Sequence, residues 1–523
     1  MDKPPDQTKN EKRGALEYEL RFNIDSAAAG SFNRLSLLAE AGPAKSIDLI
    51  NTYFDTEDFD LSDAGCSLRI RQSGGQLLQT LKILSKNRAD KRARQEFERR
   101  VSSETPHLSS EERKSLPKGL RRRIGRQNLK PVFLTSYRRI AWTVPRGTSV
   151  IEVALDRGEI KAGALQSPIS EVELELKSGE VDDLLSLAMD LCQRAPLVIS
   201  GQSKSARGAG LARKLTPRFE RGARPVKLKR KVGLAKAFRL LGEEALAHYF
   251  QNYAAVGDSP TPAMVHQMRV ALRRLWAILW AFRPLCALEH EKELGSHLKA
   301  MNKRLAPVRS MDVFREHVLP QAIKASQDKA LQKKAMAQAA EQAAAERQEL
   351  TRYLHSPEHT QDVLKLEHVL RKLYLDIRQN EKAGLQGLKE FVSGRFASLN
   401  TRLRKGHAEI PPLESKAFHQ RRLSFKKLRY LTDALGQLFK KKDVERYIRR
   451  VAGLQSAYGA VNDAVASARD TQAVRAAMAR GDLQTEASDF SQHLAAWRTA
   501  ILNGDRHRLT RLERKLAAQE PFW

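Results

Sequence analysis

The spacing of apolar residues changes once along this chain, and that change constrains the fold more than any other feature. From residue 16 to about 207, apolar and polar residues alternate in short stretches such as LEYELRF, CSLRIRQ, LLQTLKIL and EVELELK. This period of two predicts β-strands. After residue 231 the spacing becomes that of helices, as in VGLAKAFRLLGEEALAHYF. We therefore predict an α+β multidomain protein in which an antiparallel, closed sheet precedes an all-α helical bundle.

The boundary between the two parts is predicted at 214–231. This segment, KLTPRFERGARPVKLKRK, combines Pro, Gly and dense positive charge without periodicity, which is typical of a linker. We expect a disordered N-terminus at 1–15, a strand domain at 16–213, the basic linker at 214–231 and a helical domain at 232–515. Within the strand domain, Gly74 and Gly75 predict a tight turn, and 109–125 predicts a helical or irregular insertion.

Positive charge dominates the composition. The formal net charge is +31, and residues 1–220 hold 37 Lys and Arg against 30 Asp and Glu, whereas residues 221–523 hold 55 against 31. Such a field attracts polyanions over a Debye length of about 10 Å, so nucleic acid, anionic membrane and polyphosphate are the partners to weigh. The distribution predicts chemistry in the first part and polyanion capture in the second.

Several classes of site and partner are excluded by what the sequence lacks. Cys66, Cys192 and Cys286 are isolated, so neither a disulfide framework nor a zinc-thiolate site is indicated. There is no apolar run of about 18 residues to span a membrane, and a cytoplasmic location is predicted. No helix-turn-helix, zinc-finger or RNA-binding signature is present, so we expect no specific nucleic acid partner.

Carboxylates gather on two predicted strands. Glu17 and Glu19 project from one face with Arg21, and Glu171, Glu173 and Glu175 repeat this arrangement. Carboxylates that share a buried face repel one another and need a cation or protons to be stable. Oxygen ligands favour Mg²⁺ or Mn²⁺ over zinc.

Basic residues alternate on other strands. Arg69 and Arg71 share a face, as do Thr80 and Lys82, while Arg94 alternates with two glutamates and Arg138-Arg139 opens a further strand. Guanidinium groups suit phosphate oxygens, so a closed sheet lined by both charges can hold a metal–phosphate complex. A solvated polar face explains any single strand equally well, but the ensemble favours a charged interior.

These motifs carry a family resemblance. EYELR at 17–21 is followed in order by NTYFDT at 51–56, LRIR at 68–71, TLK at 80–82, RQEFE at 94–98, TSYRR at 135–139, EVALDRG at 152–158, EVELELKSG at 171–179 and SKSARG at 203–208. Residues 16–210 thus resemble CYTH domains, the triphosphate tunnel metalloenzymes. One departure is Arg21, where the family signature usually has Lys.

The resemblance implies an eight-stranded antiparallel β-tunnel that binds a triphosphate and divalent metal. The implied metal ligands are Glu17, Glu19, Glu152, Asp156, Glu173 and Glu175. The implied triphosphate-binding residues are Arg21, Arg69, Arg71, Lys82, Arg94, Arg139 and Lys204, while Arg207 fits a structural or a phosphate role. The expected reaction is in-line attack by a metal-activated water, and the sequence does not identify the general base.

Two helical segments carry stripes of basic residues. On a helix, His266, Arg269 and Arg273 fall within a sector of about 60°. His419, Arg422, Lys426 and Arg429 fall within a sector of about 80°. A solvated face, or interhelical hydrogen bonds of the histidines, would explain one such stripe. The recurrence of the pattern at 266–277 and 419–430, followed by related segments at 305–313 and 458–466, indicates an internal repeat and a cationic groove.

The repeated segments, with LQSAYGAVND at 454–463, resemble CHAD domains over about 225–510. CHAD domains are helical modules often fused to CYTH domains and associated with polyphosphate. Ser310 departs from the family, which usually has Asp there, so a salt bridge or helix cap is expected to be missing. The resemblance implies polyphosphate binding by His266, Arg269, Arg273, Arg274, His419, Arg422, Lys426, Lys427 and Arg429.

The leading hypothesis is an inorganic triphosphatase that cuts tripolyphosphate to pyrophosphate and phosphate with Mg²⁺ or Mn²⁺, while its helical domain binds inorganic polyphosphate and associates with polyphosphate granules. One alternative is hydrolysis or cyclisation of an organic triphosphate such as thiamine triphosphate or a nucleotide. Another is a non-catalytic polyphosphate-binding scaffold. The sequence predicts no oligomeric state.

Overall fold

The computed structural model describes residues 12–84, 94–124, 128–214, 220–229, 231–326, 328–382, 387–404, 410–480 and 484–523, and the side chains of 12–17, 84, 94, 325, 382 and 404 are not described. The chain divides into two compact units. Unit 1 consists of 1–218 with 355–368, and unit 2 consists of 219–354 with 369–523.

Unit 1 is built on one antiparallel sheet. Its strands within the described residues are β1 (Lys12–Asn23), β2 (Lys45–Asp55), β3 (Cys66–Ser73), β4 (Gln76–Leu84), β5 (Arg94–Val101), β6 (Lys130–Arg146), β7 (Ser149–Ala162), β8 (Leu165–Ser178) and β9 (Val198–Ile199). The order is β5-β4-β3-β2-β6-β7-β8-β1-β9, and β1 also pairs with β5. Eight strands therefore close into a tunnel, as predicted.

The described sheet has nine strands rather than eight, because one short strand adds to the eight that close the tunnel. The ninth is the two-residue strand β9, which pairs with the end of β1 through Phe22 and Ile199. A strand of two residues is too short to show a period. Strand β1 begins at Lys12, which lies opposite Glu98 of β5, so part of the segment expected to be disordered is paired; residues 1–11 lie outside the described residues.

Seven helices of unit 1 accompany the sheet within the described residues. They are α1 (Ser26–Phe32), α2 (Ser36–Ala39), α3 (Asp60–Asp63), α4 (Ser110–Ser115), α5 (Lys118–Ile124), α6 (Val181–Arg194) and α7 (Lys204–Ala212). Most of the predicted insertion is helical, since it forms α4 and α5. Leu116 and Leu120 of this segment pack against Leu68, Leu81 and Phe97 on the outer face of the sheet. The turn between β3 and β4 is also as predicted, since both of its glycines have positive φ.

Helix α7 packs against β6, β7 and β8. Gly208 makes this close approach possible, because a Cβ atom at this position would lie 2.1 Å from Cε2 of Phe133 on β6. Ser203 caps the helix by accepting a hydrogen bond from Ala206 N at 3.2 Å. The first residues of α7 are therefore fixed against three strands, two of which, β7 and β8, carry acidic residues on their inner faces.

The remaining helices are α8 (Leu234–Tyr253), α9 (Pro262–Phe282), α10 (Leu288–Val313), α11 (Leu319–Ala322), α12 (Lys329–Leu354), α13 (Pro357–Lys382), α14 (Leu388–Arg404), α15 (Lys416–Leu435), α16 (Lys441–Arg480) and α17 (Gln484–Ala517). Residues 220–229 of the predicted linker form no regular element. Asn252 of α8 holds this segment through two hydrogen bonds with the backbone of Arg221, both 2.9 Å. No described helix is long and apolar enough to cross a membrane.

The internal repeat is visible in unit 2. The two basic segments lie on α9 and α15, which pack against each other, and the two related segments lie on α10 and α16, which are also in contact. Ser310 of α10 donates a hydrogen bond to Asp470 of α16 at 2.6 Å. The position where the family pattern has Asp therefore keeps a polar partner across this helix pair.

Candidate functional site

The interior of the tunnel in unit 1 contains a cavity of about 720 Å³. All eight closing strands contribute lining side chains, because the period of two places every second residue on the inner face. The described lining contains eight cations and six carboxylates. The cations are Arg21, Lys45, Arg69, Arg71, Lys82, Arg139, Lys177 and Lys204, and the carboxylates are Glu19, Glu96, Glu98, Glu152, Glu173 and Glu175.

Three carboxylates form a row across neighbouring strands. Glu175 of β8 lies directly opposite Glu19 of β1 and Glu152 of β7. Like charges in such positions destabilise a sheet unless a cation separates them. The ammonium of Lys177 does so, lying 2.7 Å from Glu175 and 3.3 Å from Glu152, while Nη1 of Arg21 lies 3.3 Å from Glu19.

A buried network lies beside this row. Nζ of Lys204 is 2.8 Å from a carboxylate oxygen of each of Asp156, Glu171 and Glu173. Arg139 binds both oxygens of Asp156 at 2.7 Å and also contacts Glu173. Lys204 is only 6% exposed, and Asp156 and Glu171 are fully buried. The first residue of α7 is thus joined to β6, β7 and β8 by charge.

The network fixes the protonation of its members. Burial by itself lowers the pKa of Lys204, but the three carboxylates outweigh this and hold the pKa well above its usual value. Burial raises the pKa of Glu173, but Lys204 and Arg139 outweigh it and hold that pKa well below its usual value. Both groups are therefore charged at neutral pH.

Basic residues form another part of the lining. Nε of Arg71 donates to Asn51 at 2.9 Å, and Nη1 of Arg69 donates to the Tyr53 hydroxyl at 3.4 Å. Burial, followed by repulsion from Arg69 and Arg139, lowers the pKa of Arg71. Lys82 lies 3.5 Å from Glu96. The mutual repulsion of the guanidinium groups favours an anion in the cavity.

Most of the predicted tunnel residues meet at the cavity. Glu19, Glu152, Glu173 and Glu175 line it, as do all the predicted phosphate ligands except Arg94. Asp156 is not among the lining residues and is bound by Arg139 and Lys204. Arg207 donates hydrogen bonds to Glu171 and Ser167. The backbones of Glu17 and Arg94 are paired between β1 and β5, but their side chains lie outside the described residues.

Sequence reasoning missed some lining residues. Glu96, Glu98 and Lys177 line the cavity. The period of two could have predicted this, because Glu96 and Glu98 alternate with Arg94 and Lys177 alternates with Glu175. Tyr53 and Tyr137 also line the cavity, and they lie within the matched segments NTYFDT and TSYRR. The prediction was based on alternating charged residues, and the uncharged tyrosines do not contribute to that pattern.

The carboxylate row fits a hard divalent cation in its chemistry, since Mg²⁺ and Mn²⁺ prefer carboxylate oxygen. The ammonium of Lys177 already lies between Glu152 and Glu175, so this pair can hold positive charge. Among the side chains described, no three His, Cys, Asp or Glu converge into a preformed metal centre. The acids are engaged with lysine and arginine instead.

Unit 2 contains a cluster of cations from three helices, which we term the helical cation cluster. Its members are His266, Arg269 and Arg273 of α9, Arg309 of α10, and His419, Arg422 and Lys426 of α15. Burial, followed by repulsion from Arg273 and Arg422, lowers the pKa of Lys426 to about 6. Burial, followed by repulsion from Arg309, lowers the pKa of His266 to about 4.

Three predicted members lie elsewhere. Arg274 is buried near Glu244 and Asp433, and Arg429 donates to Gln455 at 3.0 Å. Lys427 lies over Trp280. Adjacent helix positions diverge by about 100°, so Arg274 and Lys427 leave the face of the preceding residue. Arg309 was missed, although it lies in the repeated segment at 305–313.

Comparison with known proteins gives two family matches. Residues 15–209 match the CYTH domain model and residues 241–472 match the CHAD domain model. A curated inorganic triphosphatase from Haemophilus influenzae is 36% identical over 165 residues, which are 31% of this chain and 46% of the relative. The chain thus spans about half the length of that relative.

Two solved structures are similar to parts of the chain. The CHAD domain from the plant Ricinus communis shares 21% identity and has a TM-score of 0.46, covering 58% of this chain and 98% of that one. A putative adenylyl cyclase from Hippeastrum, with a dominant triphosphatase activity, shares 17% identity and has a TM-score of 0.25, covering 38% of this chain and 96% of that one.

Replacing the buried ammonium tests the network. We expect Lys204→Met to lower the stability of unit 1 by about 3–5 kcal/mol near pH 7, because three buried carboxylates lose their shared cation. Glu173 has a depressed pKa, so its stabilising contribution is present above the ordinary carboxyl pKa and is lost as pH falls through the depressed one. The difference between wild type and variant should therefore shrink under acidic conditions. Calorimetric unfolding of the full chain near pH 7 and pH 4 measures both.

A matched control is Lys161→Met. Lys161 also lies next to a carboxylate, Glu159 at 2.5 Å, but this pair is exposed and should contribute less than about 1 kcal/mol. Equal losses of stability in the two variants would contradict the role assigned to Lys204.

Proposed function

Because the chain carries a CYTH domain followed by a CHAD domain, we propose that unit 1 is a metal-dependent inorganic triphosphatase and that unit 2 binds inorganic polyphosphate. The observation that carries the proposal is the enclosed cavity in which a row of carboxylates and a set of guanidinium groups line one space. The substrate proposed is tripolyphosphate, and the products are pyrophosphate and phosphate.

Charge balance supports a triphosphate together with a metal. The described lining has a surplus of two positive charges, from eight cations and six carboxylates. A triphosphate carries more negative charge than this surplus can neutralise, and its charge would be unfavourable in a poorly solvated cavity. One divalent cation on the carboxylate row brings the contents and the lining close to neutrality.

The residues divide into three proposed roles. Arg21, Arg69, Arg71 and Lys82 contact phosphate oxygens, because their cationic groups line the cavity. Glu19, Glu152, Glu173 and Glu175 hold Mg²⁺ or Mn²⁺, which when bound supplies Lewis-acid polarisation of the phosphate oxygens. Arg139 and Lys204 hold Glu173 in place and keep it ionised. These two residues therefore act as positioning residues more than as phosphate ligands.

The ionisation of Glu173 limits its chemistry. A carboxylate with a strongly lowered pKa is a weak base, so Glu173 suits cation binding better than proton removal. The proton acceptor for the attacking water then lies among the remaining lining carboxylates. This leaves in-line displacement at the terminal phosphorus as the proposed reaction class.

The cavity favours an inorganic chain over a nucleotide. Tyr137 has the ammonium of Lys204 5.3 Å and the guanidinium of Arg139 5.9 Å from its ring centre. The ring of Tyr53 is stacked on Phe133 with centres 4.4 Å apart. The faces that a base would need for stacking are thus engaged by the protein itself.

For unit 2, the helical cation cluster supports polyphosphate binding. Burial, followed by repulsion from neighbouring cations of the cluster, lowers the pKa values of Lys426, Arg269, Arg422 and His266. A chain of phosphates would relieve this repulsion at several positions simultaneously. Association with polyphosphate granules would follow from such binding.

Phosphate release from tripolyphosphate tests the proposed activity. Glu19→Gln and Glu173→Gln each remove a negative charge from the proposed metal site while keeping the side-chain size, so we expect kcat to fall by about 100-fold or more. The assay uses Mg²⁺ or Mn²⁺, with ATP and thiamine triphosphate as competing substrates. Glu159→Gln, on β7 but outside the cavity lining, should leave kcat unchanged. A folded wild type that releases no phosphate from any of these substrates would rule out the triphosphatase.

The pH dependence of polyphosphate binding tests the helical cation cluster. Lys426 in the free protein has a pKa of about 6, so near pH 7 it is mostly neutral and bound phosphates would raise that pKa. Binding should therefore take up protons, and affinity should rise as pH falls from 8 to 6. Titration calorimetry in buffers of different ionisation enthalpy measures the uptake.

A charge-keeping variant provides the control for this linkage. Lys426→Arg should bind polyphosphate with much less proton uptake, since Arg stays protonated, whereas Lys426→Gln should bind more weakly. The other charged groups that face Lys426 are Arg269, Arg273, Arg422 and Asp463. Affinity that is independent of pH in the wild type would contradict the assignment.

A further inference from the structure

A second group of four cations lies near the end of α9, and two of them, Arg395 and Lys427, contact the ring of Trp280. Arg283 follows α9, Arg395 and Arg402 belong to α14, and Lys427 belongs to α15. None of these four residues belongs to the helical cation cluster. Three separate segments of unit 2 thus bring positive charge to one region of the unit.

The geometry around the ring is specific. Trp280 is buried, and its ring centre lies 4.3 Å from the guanidinium carbon of Arg395 and 4.8 Å from Nζ of Lys427. Nη2 of Arg395 also donates a hydrogen bond to the backbone oxygen of Trp280 at 2.9 Å. Cation–π contacts hold these two groups in fixed positions, so they are prearranged before any ligand binds.

The charges of this group are poorly compensated. Burial, followed by repulsion from Arg402, Arg283 and Arg395, lowers the pKa of Lys427 to about 8. Burial, followed by repulsion from Arg283 and Arg402, also lowers the pKa of Arg395. In the part of unit 2 that is described, the carboxylate recorded beside the group is Glu291, 3.6 Å from Nε of Arg283.

Other buried cations of unit 2 are neutralised directly. Arg421 makes two hydrogen bonds to the carboxylate of Glu513, and Arg347 contacts Asp312. By contrast, Nε of Arg395 is buried and has no hydrogen-bond partner. Arg283 and Arg402 are exposed, whereas Arg395 and Lys427 are half-buried beside them. Holding these two half-buried cations next to two further cations is unfavourable for the fold alone, which points to an anionic ligand.

We propose that Arg283, Arg395, Arg402 and Lys427 form a second anion site around Trp280, and that this site binds the phosphoryl oxygens of a short phosphate chain. Three guanidinium groups and one ammonium offer the paired donors that suit tetrahedral oxyanions. Lys427 and Lys426 are adjacent on α15 and diverge by about 100°, so the two lysines serve different sites. The proposal requires neither triphosphatase activity nor binding at the helical cation cluster.

Tryptophan fluorescence of the full chain tests the site. Tripolyphosphate is titrated in the presence of EDTA, which prevents metal-dependent turnover, and the change is compared between wild type and Trp280→Phe. We expect a saturable change that is absent from Trp280→Phe. Lys427→Gln and Arg402→Gln should each weaken the midpoint by roughly tenfold, as expected for one lost charge-assisted contact. Lys441→Gln, a highly exposed lysine on α16, should have no effect.

Variants of the helical cation cluster identify the source of the phosphate. In Arg273→Gln/Lys426→Gln, an unchanged tripolyphosphate midpoint supports an independent site for a short free chain. If the double variant abolishes the Trp280 signal with both tripolyphosphate and long-chain polyphosphate, the anion is held by the helical cation cluster and the proposal is overturned. It is also overturned if Lys427→Gln and Arg402→Gln both bind tripolyphosphate as the wild type does.

Discussion

The shared contact of one buried ammonium with three carboxylates is the interaction on which unit 1 depends. Lys204 lies within 2.8 Å of Asp156, Glu171 and Glu173, and Arg139 completes the network from β6. Removing one partner from such a group exposes the others to an uncompensated burial cost. The same contact joins α7 to the sheet, keeps Glu173 ionised and orients it toward the cavity. The fold of unit 1 and its proposed chemistry therefore depend on the same five side chains.

A closed sheet with a charged interior reverses the usual arrangement of a small barrel. The apolar face of each strand points outward, where α3, α5 and α6 cover part of it, and the polar face surrounds the cavity. The charges of the described lining nearly cancel, and a small surplus of positive charge remains. Such an interior accepts an anion with an accompanying cation and disfavours either one alone. This property is the physical basis of the proposed metal dependence.

The period of two was sufficient to predict the closed sheet and the lining by Glu19, Glu173, Arg69 and Arg71, because side-chain direction in a strand follows directly from position. The position of α7 against the sheet could not be predicted from the strand pattern, since it depends on the contact of Gly208 with Phe133. For the same reason the strand pattern did not indicate that Lys204 of α7 and Arg139 bind Asp156, which was predicted as a metal ligand. In unit 2, the stripes predicted the faces of α9 and α15, but Arg309 joins the helical cation cluster only through the packing of α10. The strand β9, at two residues, gave no periodic signal.

The central claim is that the tunnel cavity holds a triphosphate together with a divalent cation on the carboxylate row. Anomalous diffraction from crystals grown with Mn²⁺ and a hydrolysis-resistant imido analogue of tripolyphosphate tests it most directly. The account predicts a manganese peak beside Glu19, Glu152 and Glu175, with phosphoryl density against Arg69 and Arg71. Manganese absent from the cavity, with the analogue bound only in unit 2, would contradict the account.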